Sequence, residues 1–384
     1  MKIFNRISQY LLFVTFGAIV LTSCMEDDST MSGGEPSISY IRITDPESSD
    51  SLLIAAGQGS MIAIIGENLH QVRQIWFNDR QAQLSPNLIT ATSVITRVPS
   101  LIPVTITNQL KLVFPGRDTL FYDFRVAIGE PQITSMVSEY VNAGGIARIR
   151  GQYFYEPLTV TFPGGVTGEV VDVEDEMIEV IVPEGAQSGP ITVTNNFGES
   201  ESDFWFRDNR NIIGGFEGTE DADFSGWWHG KDFIVSSDPD IPAINNQFIR
   251  INRELAEWGW FEMWVGNGGT ILEETSNIPA DAFDNPDKYS LKFEINTLES
   301  LTGARIHMYM GPDMPNERGT NYIWEPNIHT EGKWETVSIP WNTFLAASPT
   351  LEYSANGYQI SFHFSGPLAV NAQFGLDNVR VVPN

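Results

Sequence analysis

The sequence predicts an all-β protein: a chain of three successive β-sandwich domains behind an N-terminal export segment. Three observations predict it. Short β-branched and aromatic runs alternate with clusters of Gly, Pro, Asn and Asp, and helical periodicity is almost absent after residue 36. A weak internal repeat fills the first half of the chain. The composition then shifts at Asn209, after which eight of the ten tryptophans fall. A length of 384 residues suits two or three ordinary domains, and 42% hydrophobic residues suffice for packed cores.

Residues 1–35 stand apart from the fold. Lys2 and Arg6 give a positive start, and "YLLFVTFGAIVLTSC" is an apolar run too short and wrongly flanked for a stable membrane span. It ends in Leu21-Thr22-Ser23-Cys24, small residues before the only cysteine of the chain. A single cysteine excludes an internal disulfide, and its position excludes a catalytic thiol elsewhere. Residues 1–23 read as a signal peptide, and residues 24–35 as a flexible Ser/Gly/acid-rich tether. The run before Cys24 resembles a bacterial lipoprotein signal, which implies cleavage before Cys24, lipid on its sulfur and an outer-membrane anchor. Met25-Glu26-Asp27-Asp28 resembles the surface-export signal of Bacteroidetes lipoproteins, which implies a protein facing outward from the cell.

The charge balance narrows the partners. There are 22 Lys+Arg against 49 Asp+Glu, a net charge of -27, and the acid is spread along the chain. Such a field repels nucleic acid, anionic lipid and sulfated or uronic polymers, and favours neutral or cationic partners.

Residues 36–127 and 128–208 form the repeat. "SMIAIIGENLHQVRQIWFND" parallels "GIARIRGQYFYEPLTVTFPG", each a strand, a Gly, a turn and another strand. Gly66 and Gly151 hold equivalent positions and read as turn residues. Each unit closes on a last strand, "LFYDFRV" and "SDFWFRD", and its length fits one small sandwich. The Gly-turn and the "VTITN" and "TVTNN" strands resemble tandem IPT/TIG immunoglobulin-like domains. The resemblance implies Ig-like folds for both units, read here as rigid spacers.

Residues 209–384 form the third domain. Successive strand side chains point to opposite faces, so "WGWFEMWV" divides into Trp258, Trp260, Glu262 and Trp264 on one face and Phe261, Met263 and Val265 on the other. Burying an unpaired carboxylate is costly, so the Phe/Met/Val face is assigned to the core and the tryptophan face to the outside. "ARIHMYM" turns Ile306, Met308 and Met310 inward and Arg305, His307 and Tyr309 outward. "YQISFHF" places Gln359, Ser361 and His363 outside, and "SLKFEIN" places Lys292, Glu294 and Asn296 there. Trp324, in the turn-rich "GTNYIWEPN", either reaches over such a face or packs beneath a loop. Trp334 reads as packing, and of the adjacent Trp227 and Trp228 one reads as core and one as exposed. An outer face that mixes Trp, Tyr, His, Arg and Glu suits a sugar, whose C–H face packs on an indole while its hydroxyls bond the polar groups. The candidate glycan-binding residues are therefore Trp258, Trp260, Glu262, Trp264, Arg305, His307, Tyr309, Trp324 and His363.

Three pieces of this domain, "NIIGGFEG", "GKWETVSIPW" and "FGLDNVRVVPN", occur in an order that resembles the β-jelly-roll modules of carbohydrate-binding proteins. Glu217 and Asp377 sit where related jelly rolls hold a structural Ca²⁺, so the resemblance implies one here; the alternative is a surface pair of acids. The whole arrangement resembles the surface glycan-binding proteins (B type) of Bacteroidetes polysaccharide-utilisation loci. That implies non-catalytic capture of a neutral polysaccharide, of β-glucan or hemicellulose type, beside an outer-membrane transporter and a partner glycan-binding lipoprotein. No GxSxG elbow, HExxH motif or Walker loop is present, and nothing selects a glycosidase carboxylate pair. The competing readings are an adhesin that uses its Ig-like domains and, less favoured, a glycoside hydrolase.

Overall fold

The computed structural model describes residues 34–45, 51–217, 233–266, 277–312 and 321–384. The signal peptide, Cys24, Trp227 and Trp228 lie outside the described residues. The chain divides into two compact units, one ending at Ile128 and one running from Gly129 to Asn384.

The first unit is a sandwich. A three-stranded sheet orders Ser37–Ile43, Met61–Glu67 and Ser93–Arg97, and a four-stranded sheet orders Arg80–Gln81, Gln74–Phe77, Gln109–Val113 and Leu120–Asp123. Alternate residues of these strands, among them Ile62, Ile64, Ile75, Phe77, Leu110 and Leu112, fill the core between the sheets. That is the period-2 pattern expected of a half-buried strand. The second unit begins with a sandwich of the same kind. Its sheets order Gln132–Met136, Ile146–Gln152, Met177–Ile181 and Glu169–Glu174, and Val166–Thr167, Leu158–Phe162, Gly189–Asn195 and Gly198–Phe206. Ala147, Ile149, Val160, Phe162, Ile178 and Val193 close its core.

The repeat is visible at atomic level, but its glycines are not turn residues. Gly66 lies inside Met61–Glu67 and Gly151 inside Ile146–Gln152, each opposite a register shift in the preceding strand, at Ile38/Tyr40 and Ile133/Ser135. A Cβ on Gly66 would lie 1.9 Å from the Ser37 carbonyl oxygen, and one on Gly151 would lie 2.0 Å from that of Gln132. The glycine is required by close backbone approach at a bulge, not by a left-handed φ. Two residues on, Asn68 and Tyr153 do adopt positive φ, at 56° and 59°. Gly151→Ala, which would also strike the Phe154 ring, is expected to cost about 1–3 kcal/mol; chemical denaturation of the full chain measures it.

The C-terminal domain stacks two antiparallel sheets. One orders Ile234–Val235, Phe248–Leu255, Val370–Pro383, Tyr289–Thr297 and Trp334–Pro340, with Ile212–Gly214 also paired to Val370–Pro383. The other orders Trp260–Val265, Gln359–Ser365, Ile306–Gly311 and Tyr322–Trp324. Phe261, Met263, Val265, Leu291, Phe293, Ile306, Met308, Phe362 and Phe364 interlock between them, as the alternation predicts. Two short helices, Ala280–Asp284 and Trp341–Ala347, are the α-helices among the described residues.

One strand departs from the expected pattern. Tyr289–Thr297 is buried on both faces, so Lys292, Glu294 and Asn296 are not at the surface. Their face meets the second sandwich: the Glu139 carboxylate accepts from Lys292 Nζ at 2.6 Å, and Ser138 Oγ donates to Glu294 at 3.1 Å. Alternation reports which residues share a face, but not whether a second domain covers it.

Candidate functional site

The outer face of the four-stranded sheet carries most of the candidate residues, and strand register decides their neighbours. Glu262, His363, His307 and Ile323 lie in one row across the four strands; Trp264, Ser361 and Tyr309 lie in the next. Trp260 begins the third row, opposite Ser365.

The tryptophan row does not present four exposed side chains. Trp260 is 55% exposed and Trp258 58%, whereas Trp264 is 4% and Glu262 7% exposed. Glu262 Oε1 accepts from Trp264 Nε1 at 2.8 Å and from Ser361 Oγ at 2.5 Å. The cost that assigned Glu262 to the outside is met by these donors, so the carboxylate and its indole can be buried together. Trp258 precedes the strand. It lies in a turn closed by Gly259 N–H donating to Ala256 O, and its own N–H donates to Gly366 O, both at 2.8 Å. Its φ of 55° is costly for a bulky residue, so the turn holds this ring out against a local preference.

His363 is the hub of the face. Its ring centroid lies 6.1 Å from Trp260, 5.9 Å from His307 and 6.4 Å from Tyr309. His307 is held through Nδ1, 2.9 Å from Asn321 Oδ1. Arg305 spends its guanidinium on Glu325, donating through Nε at 2.8 Å and Nη2 at 2.7 Å. Trp324 is not on this face. Its ring packs edge-on against the core Phe293 at 5.2 Å, and Ile323 takes the outer position, because alternation in Tyr322–Trp324 sends neighbours to opposite sides. Trp334 packs against Phe248 and donates to the Pro242 carbonyl, a core role as expected. Asn321 and Glu325 complete the face and were not singled out in the sequence, whereas Ser361 and Gln359, expected outside, are buried, Ser361 beneath Glu262.

The face therefore offers two exposed indoles, a terrace of imidazole and phenol rings, and an ion-paired rim. Apolar planes beside donors and acceptors fit the two sides of a pyranose.

Glu217 and Asp377 lie apart from this face. Asp377 is fully buried, its Oδ1 accepts from Asn378 N–H, and its Oδ2 has no hydrogen-bond partner among the described residues. Burial pushes its carboxyl well above the usual range, and the charges of Glu217 and Glu294 push the same way. The amides of Asn245 and Asn378 bond one another beside it. An orphaned buried carboxylate oxygen near a second carboxylate and amide oxygens is a donor set that fits Ca²⁺. No cluster of three or more His, Cys, Asp or Glu side chains occurs among the described residues, so further ligands would be amide or carbonyl oxygens.

Comparison with known proteins follows the same division of the chain. Residues 206–383 match the family model of the surface glycan-binding protein B xyloglucan-binding domain. An IPT/TIG domain-containing protein of Bacteroides ovatus is 32% identical over 151 residues, which span 38% of this chain and 30% of that protein's length. The crystal structure of a surface glycan-binding protein from Prevotella bryantii superposes with a TM-score of 0.66 at 25% identity, covering 91% of this chain and 99% of that one. A B-type protein from a complex xyloglucan utilisation locus of Bacteroides uniformis shares the fold, with a TM-score of 0.51 at 18% identity over 91% of this chain and 100% of its own. Residues 206–383 thus match that domain family, and the chain as a whole is similar in fold and extent to the surface glycan-binding protein of Prevotella bryantii.

Proposed function

We propose that this protein is a surface lipoprotein that captures a neutral β-glucan, xyloglucan first among them, on the outer face of the four-stranded sheet, and does not cut it. The observation that carries the reading is the exposed indole of Trp260 beside His363, which His307 and Tyr309 flank, with a second exposed indole, Trp258, in the turn that leads into the same strand. The matched domain family is named for xyloglucan binding, and the Bacteroides uniformis relative comes from a xyloglucan locus. Among the described residues the carboxylates of the face are engaged, Glu262 with Trp264 and Ser361 and Glu325 with Arg305, which favours holding a sugar over breaking its bonds. The lipid on Cys24 ties the protein to the outer membrane, the Ig-like sandwiches act as spacers, and an outer-membrane transporter with a second glycan-binding lipoprotein receives the captured chain. Many weak contacts per polymer supply avidity.

Native gels containing xyloglucan, mixed-linkage glucan, mannan and fructan, run beside a reducing-end assay, test this. Retardation by xyloglucan without new reducing ends is the expected result. Release of reducing ends, or migration unaffected by every glycan, overturns it.

We also propose a structural Ca²⁺ between Glu217 and Asp377. Without a cation, the raised pKa means that the folded state holds the Asp377 proton more tightly than the unfolded chain, so ionisation near pH 7 opposes folding. With Ca²⁺ the ionised form is the one that folding needs. Asp377→Asn should then melt at or above the wild type in chelator at pH 7, and below it in millimolar Ca²⁺. An equal deficit in both conditions removes the metal from the account.

A further inference from the structure

Glu139 belongs to the second Ig-like sandwich, yet its carboxylate is spent in the C-terminal domain. Oε1 accepts from Lys292 Nζ and Oε2 from Arg380 Nη2, both at 2.6 Å. Arg380 Nη2 also donates to Glu294 at 2.9 Å. Thr336 Oγ1 accepts from the Glu139 N–H at 2.7 Å and donates to Glu294, while Thr336 N–H donates to Val137 O at 2.9 Å. All four charged side chains are at least nine-tenths buried. Burial opposes charge on Arg380, but Glu139 and Glu294 hold it firmly protonated.

The arithmetic of this cluster is uneven within each domain. Among the ion pairs the C-terminal domain supplies Lys292, Arg380 and Glu294, and the partner that Lys292 and Arg380 share is Glu139 from the neighbouring sandwich. Beside it the Tyr140 ring lies 5.1 Å from the Arg380 guanidinium and joins Ile241, Ile244, Phe248 and Trp334 in a small apolar cluster. On the other side the two domains part around a cleft of about 460 Å³ lined by Thr134, Arg150, Asp203, Lys292 and Ser338. The contact therefore combines a buried ion cluster with a small apolar patch and leaves a cleft beside them. Domains joined that way ordinarily move against one another, and a bidentate carboxylate between two buried cations resists it, because its geometry is satisfied in one arrangement only.

We propose that Glu139 is a positioning residue that keys the C-terminal domain to the second sandwich in one orientation, so that residues 129–384 present the glycan face as a single rigid piece. The domain that holds the sugar is not a freely tethered module; its direction is set by a residue outside it, on the sheet opposite the glycan face.

Hydrogen exchange on the full chain tests the proposal without depending on any ligand. In Glu139→Gln, amides of 137–142, 290–297 and 334–340 should exchange about tenfold faster or more, while 260–265 and 359–365 keep their protection. Glu139→Asp, which retains the charge, should restore part of the loss. If Glu139→Gln does not fold, Lys292→Gln removes one arm of the lock and should give the same pattern, smaller. Unchanged exchange at the joint overturns the proposal. So does a loss spread evenly through the C-terminal domain, which would make Glu139 a residue of general stability. Glycan retention in native gels should match the wild type, so failure of the joint and failure of the binding site are read separately.

Discussion

Arg380→Met should lower the stability of the C-terminal domain by about 3–5 kcal/mol, the range seen when one member of a buried ion pair is removed. Arg380 is fully buried and answers both Glu139 and Glu294. Methionine fills much of its volume but leaves those two carboxylates facing one another, with Lys292 as the remaining cation beside them. Burial already raises the pKa of Glu294, and Arg380 is what chiefly offsets that. With Arg380 gone, the folded state should take up a proton there, so the deficit should shrink as the pH is lowered from 7 towards 5. Thermal melts of variant and wild type across that range check both size and sign. A deficit under about 1 kcal/mol, the range of exposed pairs, would mean that water reaches the joint.

Trp260→Ala should weaken binding of the proposed glycan about 10- to 100-fold, or about 1.4–2.8 kcal/mol, the scale of one large apolar side chain taken out of water. Its ring is more than half exposed and meets His363 edge-on, so the melting temperature should stay where it is. Trp264→Ala should behave differently. It removes a buried indole and leaves Glu262 with one donor fewer, so binding and melting temperature should fall together. Isothermal titration beside calorimetric melting separates the two. A Trp260→Ala protein that binds every retained glycan at full strength would move the site elsewhere.

Much of this domain could be read from alternation alone. Phe261, Met263 and Val265 and the inward residues of 306–311 and 359–365 lie where period 2 places them, because each strand faces one core. The failures have a common physical origin. Alternation assumes a continuous strand, and Trp258 sits in a turn instead. It sorts side chains into two faces without saying what covers each. Glu262 and Trp264 are therefore buried on the supposedly outer face, and Lys292 and Glu294 are buried beneath another domain. Trp324 was legible in principle, since Ile323 and Trp324 must take opposite sides once a strand is recognised in "YIW". Gly66 and Gly151 announced the repeat, but the bulge that requires them is a relation between two strands and has no local signature.

The strand Val370–Pro383 lies between Phe248–Leu255 and Tyr289–Thr297 and also pairs Ile212–Gly214, so the six-stranded sheet is assembled around the last strand of its domain. Ile212–Gly214, Phe248–Leu255 and Tyr289–Thr297 each wait for a partner that arrives more than seventy residues later in the chain, a long-range pairing that makes folding slow. During synthesis the domain thus stays unlocked until its final strand is delivered. The same order makes a shortened product conspicuous. A chain that stops before residue 370 leaves three strands without their central neighbour, exposed to proteases and chaperones rather than displayed as a weakened but intact receptor.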